Sequence, residues 1–279
     1  MLKQRVITAL LLLPLVLGLV FAAPAPWFLV LLAVVLLGAS LEYRRLAGIS
    51  SQTAGYLMVL VQALILAALF WYRESWANGI VLYLSISCVV WLLLFIRLPL
   101  YRPETHLDGT YRIVSVTTAI LSITTGWFAL SWLRIQPEGP WLILLLLLIV
   151  WAADTGAYFA GKTFGKRKLA PSISPGKTQE GLLGGLITAA LIALLAVKLM
   201  PVETIDATRL VLITLVTALV SVGGDLMISL HKRTSGFKDS GNLLPGHGGI
   251  LDRLDSLLAA APFLHWVCWY RVFEEGKFE

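Results

Sequence analysis

A chain of 279 residues that is 58% hydrophobic and only 14% charged, with a mean hydropathy of +0.83, excludes a water-soluble globular fold, because soluble domains keep about a quarter of their residues charged. The net charge of +6 does not imply nucleic acid as a partner: the basic residues fall in short connections between apolar runs, where membrane topology and anionic lipid account for them. Cys88 and Cys268 lie far apart within apolar runs and indicate neither a disulfide framework nor a thiolate metal site.

The first run, residues 6–23 behind Lys3 and Arg5 and ahead of AAPAP, has the outline of a secretory signal. Many apolar runs follow it, so a first transmembrane helix that also directs insertion is the simpler reading. Further runs occupy 27–41, 56–72, 77–96, 113–133, 140–160, 180–200, 209–230 and 251–273. Most approach the roughly 20 residues that cross a bilayer as a helix. The runs are continuous rather than alternating, and an open sheet would leave backbone groups unsatisfied in lipid, so strands are disfavoured. The expectation is an all-α, polytopic integral membrane protein of about nine transmembrane helices.

Alternate connections carry unequal positive charge. Of the 22 Lys and Arg residues, Arg73, Arg134, Lys198, Arg209, Arg271 and Lys277 fall on one side and the other sixteen on the side of the N-terminus. That bias predicts a cytoplasmic N-terminus and, with nine spans, an external C-terminus. The second run is short, and Glu42, Arg44 and Arg45 at its end predict a helix emerging into the interface. Residues 97–112 form a cytoplasmic connection without a readable role. Residues 1–112 are expected to be a scaffold of transmembrane helices. Residues 113–279 are expected to be a catalytic region with cytoplasmic loops at 161–180 and 231–251.

Two cytoplasmic segments are far more polar and glycine-rich than the rest. One is DTGAYFAGKTFGKRKLAPSISPGKTQEGLLGG, from Asp154 to Gly185, and the other is SLHKRTSGFKDSGNLLPGHGGILDRLD, from Ser229 to Asp255. Asp225 precedes the second within an apolar helix, where an ionised carboxylate costs at least about 2.5 kcal/mol without a partner or a function. Neutralisation by Arg253 or Lys232 is one reading, and metal ligation is the other. Asp252 and Asp255 share a helix face if the last helix has begun there. With Asp225 they are hard oxygen donors of the kind Mg²⁺ takes while it holds phosphates. Helix capping explains one of these three carboxylates, but not all three.

Lys232, Arg233 and Lys238 lie between the carboxylates, and the PGHGG backbone, with Gly248 and Gly249, leads into a helix N-terminus where free N–H groups receive anions. His247 is a candidate phosphate donor or a local hydrogen-bonding residue. Lys166, Arg167, Lys168 and Lys177 make the other segment basic. Asp154 is a candidate supporting partner, and Gly161 and Gly165 read as helix-packing positions. The string SPGKT does not make a nucleotide P-loop, because Pro171 stands where the upstream glycine belongs and no parallel sheet surrounds it.

The pattern S-L-H-K-R-x4-K-D-S-G-x2-L-P-G-H-G-G-I-L-D-R-L-D resembles the signature of the phosphatidate cytidylyltransferases, or CDP-diacylglycerol synthases. DTGAYFAG, FGK and LAPSISPGKTQEG resemble a second block of the same family. The resemblance implies an Mg²⁺-dependent enzyme, with Mg²⁺ alone or with a second cation, that joins CTP and phosphatidic acid into CDP-diacylglycerol and pyrophosphate. It also implies a multi-pass protein of the bacterial inner membrane with its site facing the cytoplasm. By resemblance, Asp225, Asp252 and Asp255 bind metal and Lys177, Lys232, Arg233 and Lys238 contact phosphate. Asp239 orients Lys238 or the attacking phosphate, while Ser229, His247, Gly248, Gly249 and Arg253 complete the substrate-binding set. GLLGG at 181–185 has a spacing that packs helices within one chain or between two, and the resemblance favours a homodimer. Cytidylyl transfer to another lipid phosphate and an ion-coupled transporter are the competing readings.

Overall fold

The structure is a computed structural model describing residues 2–102, 107–201, 206–244, 246 and 248–265. His247 and Cys268, both singled out above, lie outside the described residues. Helices follow the apolar runs: α1 (Leu2–Phe21), α2 (Ala25–Leu46), α3 (Gln52–Trp71), α4 (Ile80–Phe95), the short α5 (Arg97–Leu100), α6 (Gly109–Ile135), α7 (Gly139–Phe164), α8 (Gln179–Leu199), α9 (Ala207–Thr234) and α10 (Leu251–Leu264). Among the described residues, seven of these regions are long and apolar enough to cross a membrane; α1 and α10 fall short of that measure. A multi-pass helical protein stands, while nine spans remain the sequence expectation.

The long helices alternate in direction. Arg134 at the end of α6 donates to the Ala23 carbonyl after α1, and Phe21 meets Trp141 at the start of α7. At the other end, the close of α2, the start of α6 and the close of α9 converge, since Tyr43 and Tyr111 both reach His231. The buried centre is formed chiefly by α6, α7 and α9, and the exposed outside by α3, α4 and α8. Within the central helices, Ser122, Thr125, Thr217 and Ser221 donate to carbonyls of their own helix, which satisfies hydroxyls that have no water to turn to.

The tightest pairing is α7 against α8. A Cβ on Gly184 would lie 2.3 Å from Ala160 Cβ, and one on Gly185 2.6 Å from the Ala153 carbonyl oxygen, so the two backbones touch. Thr188 Oγ1 donates across this seam to the Ala152 carbonyl at 2.8 Å. The GLLGG glycines are thereby used inside the chain. Between α7 and α8 the chain forms an antiparallel hairpin, β1 (Lys168–Ala170) and β2 (Ser174–Thr178). SPGKT is therefore a strand, in agreement with the rejection of a P-loop. Gly161 and Gly165 pack on Thr178, whose Oγ1 accepts from Gly181 N–H and caps α8.

The second helix departs from expectation. It does not emerge at Glu42 but continues to Leu46, with Glu42 only 5% exposed. Three hydrogen-bond donors surround its carboxylate and remove the need for water.

Candidate active site

The end of the bundle where α2, α7 and α9 finish and α6, α8 and α10 begin holds both polar segments. The hairpin lies against α9 through a small apolar cluster in which Ile173 meets Leu226 and Leu230, with Leu169, Ala170 and Val222 around it. Arg233 fixes the hairpin further, since its Nε donates to the Ile173 carbonyl at 3.0 Å. The backbone of the loop before β1 is also held, because Lys166 and Arg167 N–H groups donate to Glu180.

This docking carries Lys177 on β2 to Asp225 on α9, with Nζ 2.7 Å from Oδ2. Asp225 also accepts from Ser229 Oγ, one turn along, at 3.2 Å. The ion-pair partner that Asp225 meets at this distance is thus a lysine from the other segment. Lys232 instead pairs with Asp252, Nζ to Oδ1 at 2.7 Å, and both side chains are largely buried. The second oxygen of Asp252 accepts from Ser240 N–H at 2.8 Å and Gly249 N–H at 3.0 Å.

Asp255 is buried on α10 and accepts from Ser256 N–H at 2.7 Å. It lies where α10 crosses α9, since a Cβ on Gly224 would stand 2.6 Å from the Asp255 carbonyl oxygen. Asp225 and Asp252 both act electrostatically on Asp255, and Lys232 acts on Asp225 and Asp255 alike. Asp154 on α7 feels Asp225, Lys177 and Arg253. The site is therefore a lattice of carboxylates and cations drawn from α7, β2, α9 and α10.

The donor set consists of hard oxygens, as Mg²⁺ requires, and the paired lysines show that Asp225 and Asp252 already face positive charge. Among the described residues, no group of three or more Asp, Glu, His or Cys side chains is gathered closely enough to hold a metal ion. Beside Lys177, a cavity of about 210 Å³ is lined by Asp154, Tyr158, Leu169, Leu182 and Val222 among others. One ammonium and one carboxylate thus face largely apolar walls from three helices and the hairpin.

Of the remaining candidate residues, Lys238, Asp239 and Arg253 are exposed. Gly248 has a φ of +80° and Gly249 is buried. The former needs the left-handed conformation that glycine adopts freely.

Two participants were not legible in the sequence. Glu42 on α2 accepts from Ser240 Oγ, Ile250 N–H and Leu251 N–H. His231, the third residue of the signature, is fully buried. Its Nδ1 lies 2.9 Å from the Met227 carbonyl, which can only accept, so Nδ1 carries the proton. Nε2 then accepts from Arg97 Nη1 at 3.4 Å. Tyr111 Oη donates to the Leu46 carbonyl at 2.9 Å and also reaches the His231 carbonyl. Residues 97–112 thus contribute Arg97 and Tyr111 to the node that joins the N-terminal helices to α9. The signal available for Glu42 was a lone acid in a run that otherwise reads as buried helix.

The chain is similar to known proteins along nearly its whole length. The profile described as "Cytidylyltransferase family" matches residues 3–271. A phosphatidate cytidylyltransferase of Pseudomonas aeruginosa is 44% identical over 272 residues, covering 96% of this chain and 97% of that protein. Phosphatidate cytidylyltransferases of Haemophilus influenzae and Bacillus subtilis are 48% and 46% identical over 136 and 134 residues, about half of each chain. A match that runs through α1 to the end of α10 places the N-terminal helices in the shared fold as well, and the chain belongs to the cytidylyltransferase family.

Proposed function

We propose that this chain transfers the cytidylyl group of CTP to phosphatidate, forming CDP-diacylglycerol and releasing pyrophosphate. A phosphate oxygen of the lipid attacks the α-phosphorus of CTP, the bond from that phosphorus to the β-phosphate oxygen breaks, and pyrophosphate leaves with the bond's electrons. The observation that carries this reading is the meeting of the two polar segments, Lys177 against Asp225 beside Lys232 against Asp252, in a chain aligned nearly end to end with a phosphatidate cytidylyltransferase.

Such a displacement needs positioning and charge neutralisation more than covalent catalysis. Lys177 and Lys232 supply ammonium groups held in place by their carboxylate partners, and exposed Lys238 is free to meet an incoming phosphate. The cavity beside Lys177 couples an ammonium to apolar walls, a pairing suited to the phosphate end of a lipid. The helix N-terminus that the sequence offered to an anion is already occupied, because Gly249, Ile250 and Leu251 N–H groups donate to Asp252 and Glu42, and substrate phosphate is left to the lysines. His231 holds the helix end and does not face substrate, while Arg233 anchors the hairpin that bears Lys177.

Mg²⁺ is the cofactor that the family resemblance proposes, and its chemistry would be to neutralise charge on the triphosphate; Asp225, Asp252 and Asp255 supply the hard oxygens, but as they stand they are not gathered closely enough to hold an ion, and both Asp252 oxygens already accept from Lys232, Ser240 and Gly249. The site end faces the cytoplasm of a bacterial inner membrane, in keeping with the excess of Lys and Arg on that side. A homodimer rests on family resemblance, since GLLGG is already used between α7 and α8.

The test is purified protein in detergent or vesicles with CTP, Mg²⁺ and phosphatidate, and with other lipid phosphates in parallel. Formation of CDP-diacylglycerol and pyrophosphate in equal amounts is expected. An intact, folded preparation that forms neither overturns the proposal, and a strong preference for another lipid phosphate reassigns the acceptor.

A further inference from the structure

The glycine-rich loop that leads into α10 is held by two carboxylates from opposite ends of the sequence. Asp252, on α10 itself, takes Ser240 N–H and Gly249 N–H. Glu42, on α2, takes the next two amides, Ile250 N–H on Oε1 at 3.1 Å and Leu251 N–H on Oε2 at 2.9 Å, together with Ser240 Oγ at 2.9 Å. Three successive amides at the start of α10 are therefore divided between the two acids, and Ser240 is gripped by both. An anion at this end of a helix is also favoured by the positive pole of its peptide dipoles.

The fit around Glu42 is close. A Cβ on Gly241 or on Gly249 would stand 2.3 Å from a Glu42 carboxylate oxygen, well inside contact distance, so both positions must lack a side chain for the loop to close on it. At 5% exposure, water cannot take the place of the missing partner if the acid is removed.

The groups that Glu42 holds, Ser240 Oγ and the Ile250 and Leu251 amides, adjoin the Ser240 and Gly249 amides that fix Asp252, which in turn grips Lys232. We infer that Glu42 is a positioning residue for the reaction: from the second helix it sets Ser240 and the Ile250–Leu251 backbone and, through the neighbouring Gly249 amide, the Asp252–Lys232 pair. The reaction part of this inference rests on the activity proposed above.

Glu42→Gln keeps size and shape but turns one acceptor oxygen into an amide that confronts a backbone N–H. In full-length protein, kcat falls at least tenfold while KM for phosphatidate stays within twofold, and amide exchange at residues 249–251 in the substrate-free chain accelerates at least tenfold. Ser240→Ala, a milder cut in the same contact, lowers kcat at least threefold, and the double variant is no worse than Glu42→Gln alone. Turnover within twofold of native in Glu42→Gln, loss that merely tracks the unfolded fraction, or effects of the two substitutions that multiply would each overturn the positioning role. If the native chain makes no CDP-diacylglycerol, the proposed activity falls and the reaction part of the inference with it. Unchanged exchange at residues 249–251 overturns the holding itself.

Discussion

Replacing Lys177 by Met tests whether the hairpin is part of the site or only lies beside it. Methionine keeps the length and apolar stem of the lysine and deletes the ammonium 2.7 Å from Asp225 Oδ2. Two unit charges near 4 Å attract by about 4 kcal/mol at an effective dielectric near 20, and stripping one partner from a fully buried pair costs about 3–5 kcal/mol. The pair retains about a quarter of its side-chain exposure, 25% for Lys177 and 29% for Asp225, so water screens part of this and a loss of about 1–3 kcal/mol in stability is expected. Part of that cost comes from leaving Asp225 beside Asp154 and Asp255 with one cation fewer.

Activity should suffer more than stability, because the ammonium also lines the cavity proposed to seat a phosphate. A fall of at least a hundredfold in kcat/KM, or about 2.7 kcal/mol of transition-state stabilisation, is expected. Unfolding in detergent and CDP-diacylglycerol formation are measured on Lys177→Met, Asp225→Asn and the double variant. The double variant should be more stable than Lys177→Met, since the unpaired Asp225 carboxylate is gone, yet still inactive. A Lys177→Met protein as stable and at least half as active as the native one would show that the hairpin only lies beside the site. So would a coupling energy below about 0.5 kcal/mol in the double-mutant cycle.

Asp252→Asn should leave the protein folded in the membrane but nearly abolish turnover, because an amide cannot serve Lys232 Nζ and two backbone N–H groups together. Near-native rates across a Mg²⁺ titration would remove Asp252 from the site. Gly156→Val should act on stability through the α7–α8 seam, where its Cβ would stand 2.2 Å from Thr188 Oγ1 and 2.8 Å from the Gly184 carbonyl oxygen. A backbone oxygen cannot step aside, so a loss of at least about 1–3 kcal/mol is expected as a lower thermal midpoint in detergent. An unchanged midpoint would show that the two helices are not locked at this seam.

The helical membrane architecture was legible because burial in lipid selects on hydropathy over some 20 successive residues, a property each stretch carries by itself. The two polar segments stood out for the same reason: charge and glycine are conspicuous in a chain this apolar. Local chemistry also revealed that SPGKT is not a P-loop and that Gly161 and Gly165 are packing positions. The pairing within the site was less legible. Sequence offered Arg253 or Lys232 as the partner of Asp225, yet Lys177 takes it, because Ile173 and Arg233 dock the hairpin on α9 and bring β2 within reach.

Glu42 was misread for a related reason. An acid followed by two arginines looks like a helix entering water, and only the return of the Ser240–Leu251 loop, some 200 residues later, supplies the donors that let the helix stay buried. By itself the sequence determined the solvent in which this protein folds, the elements that cross it and the chemical types gathered in its two polar segments. The tertiary structure decided which carboxylate meets which cation, that GLLGG closes α8 on α7, and that α2 reaches into the signature. Those outcomes depend on how helices rotate and approach one another, and contacts between residues 20 to 209 positions apart leave no period in the local pattern for a sequence to display.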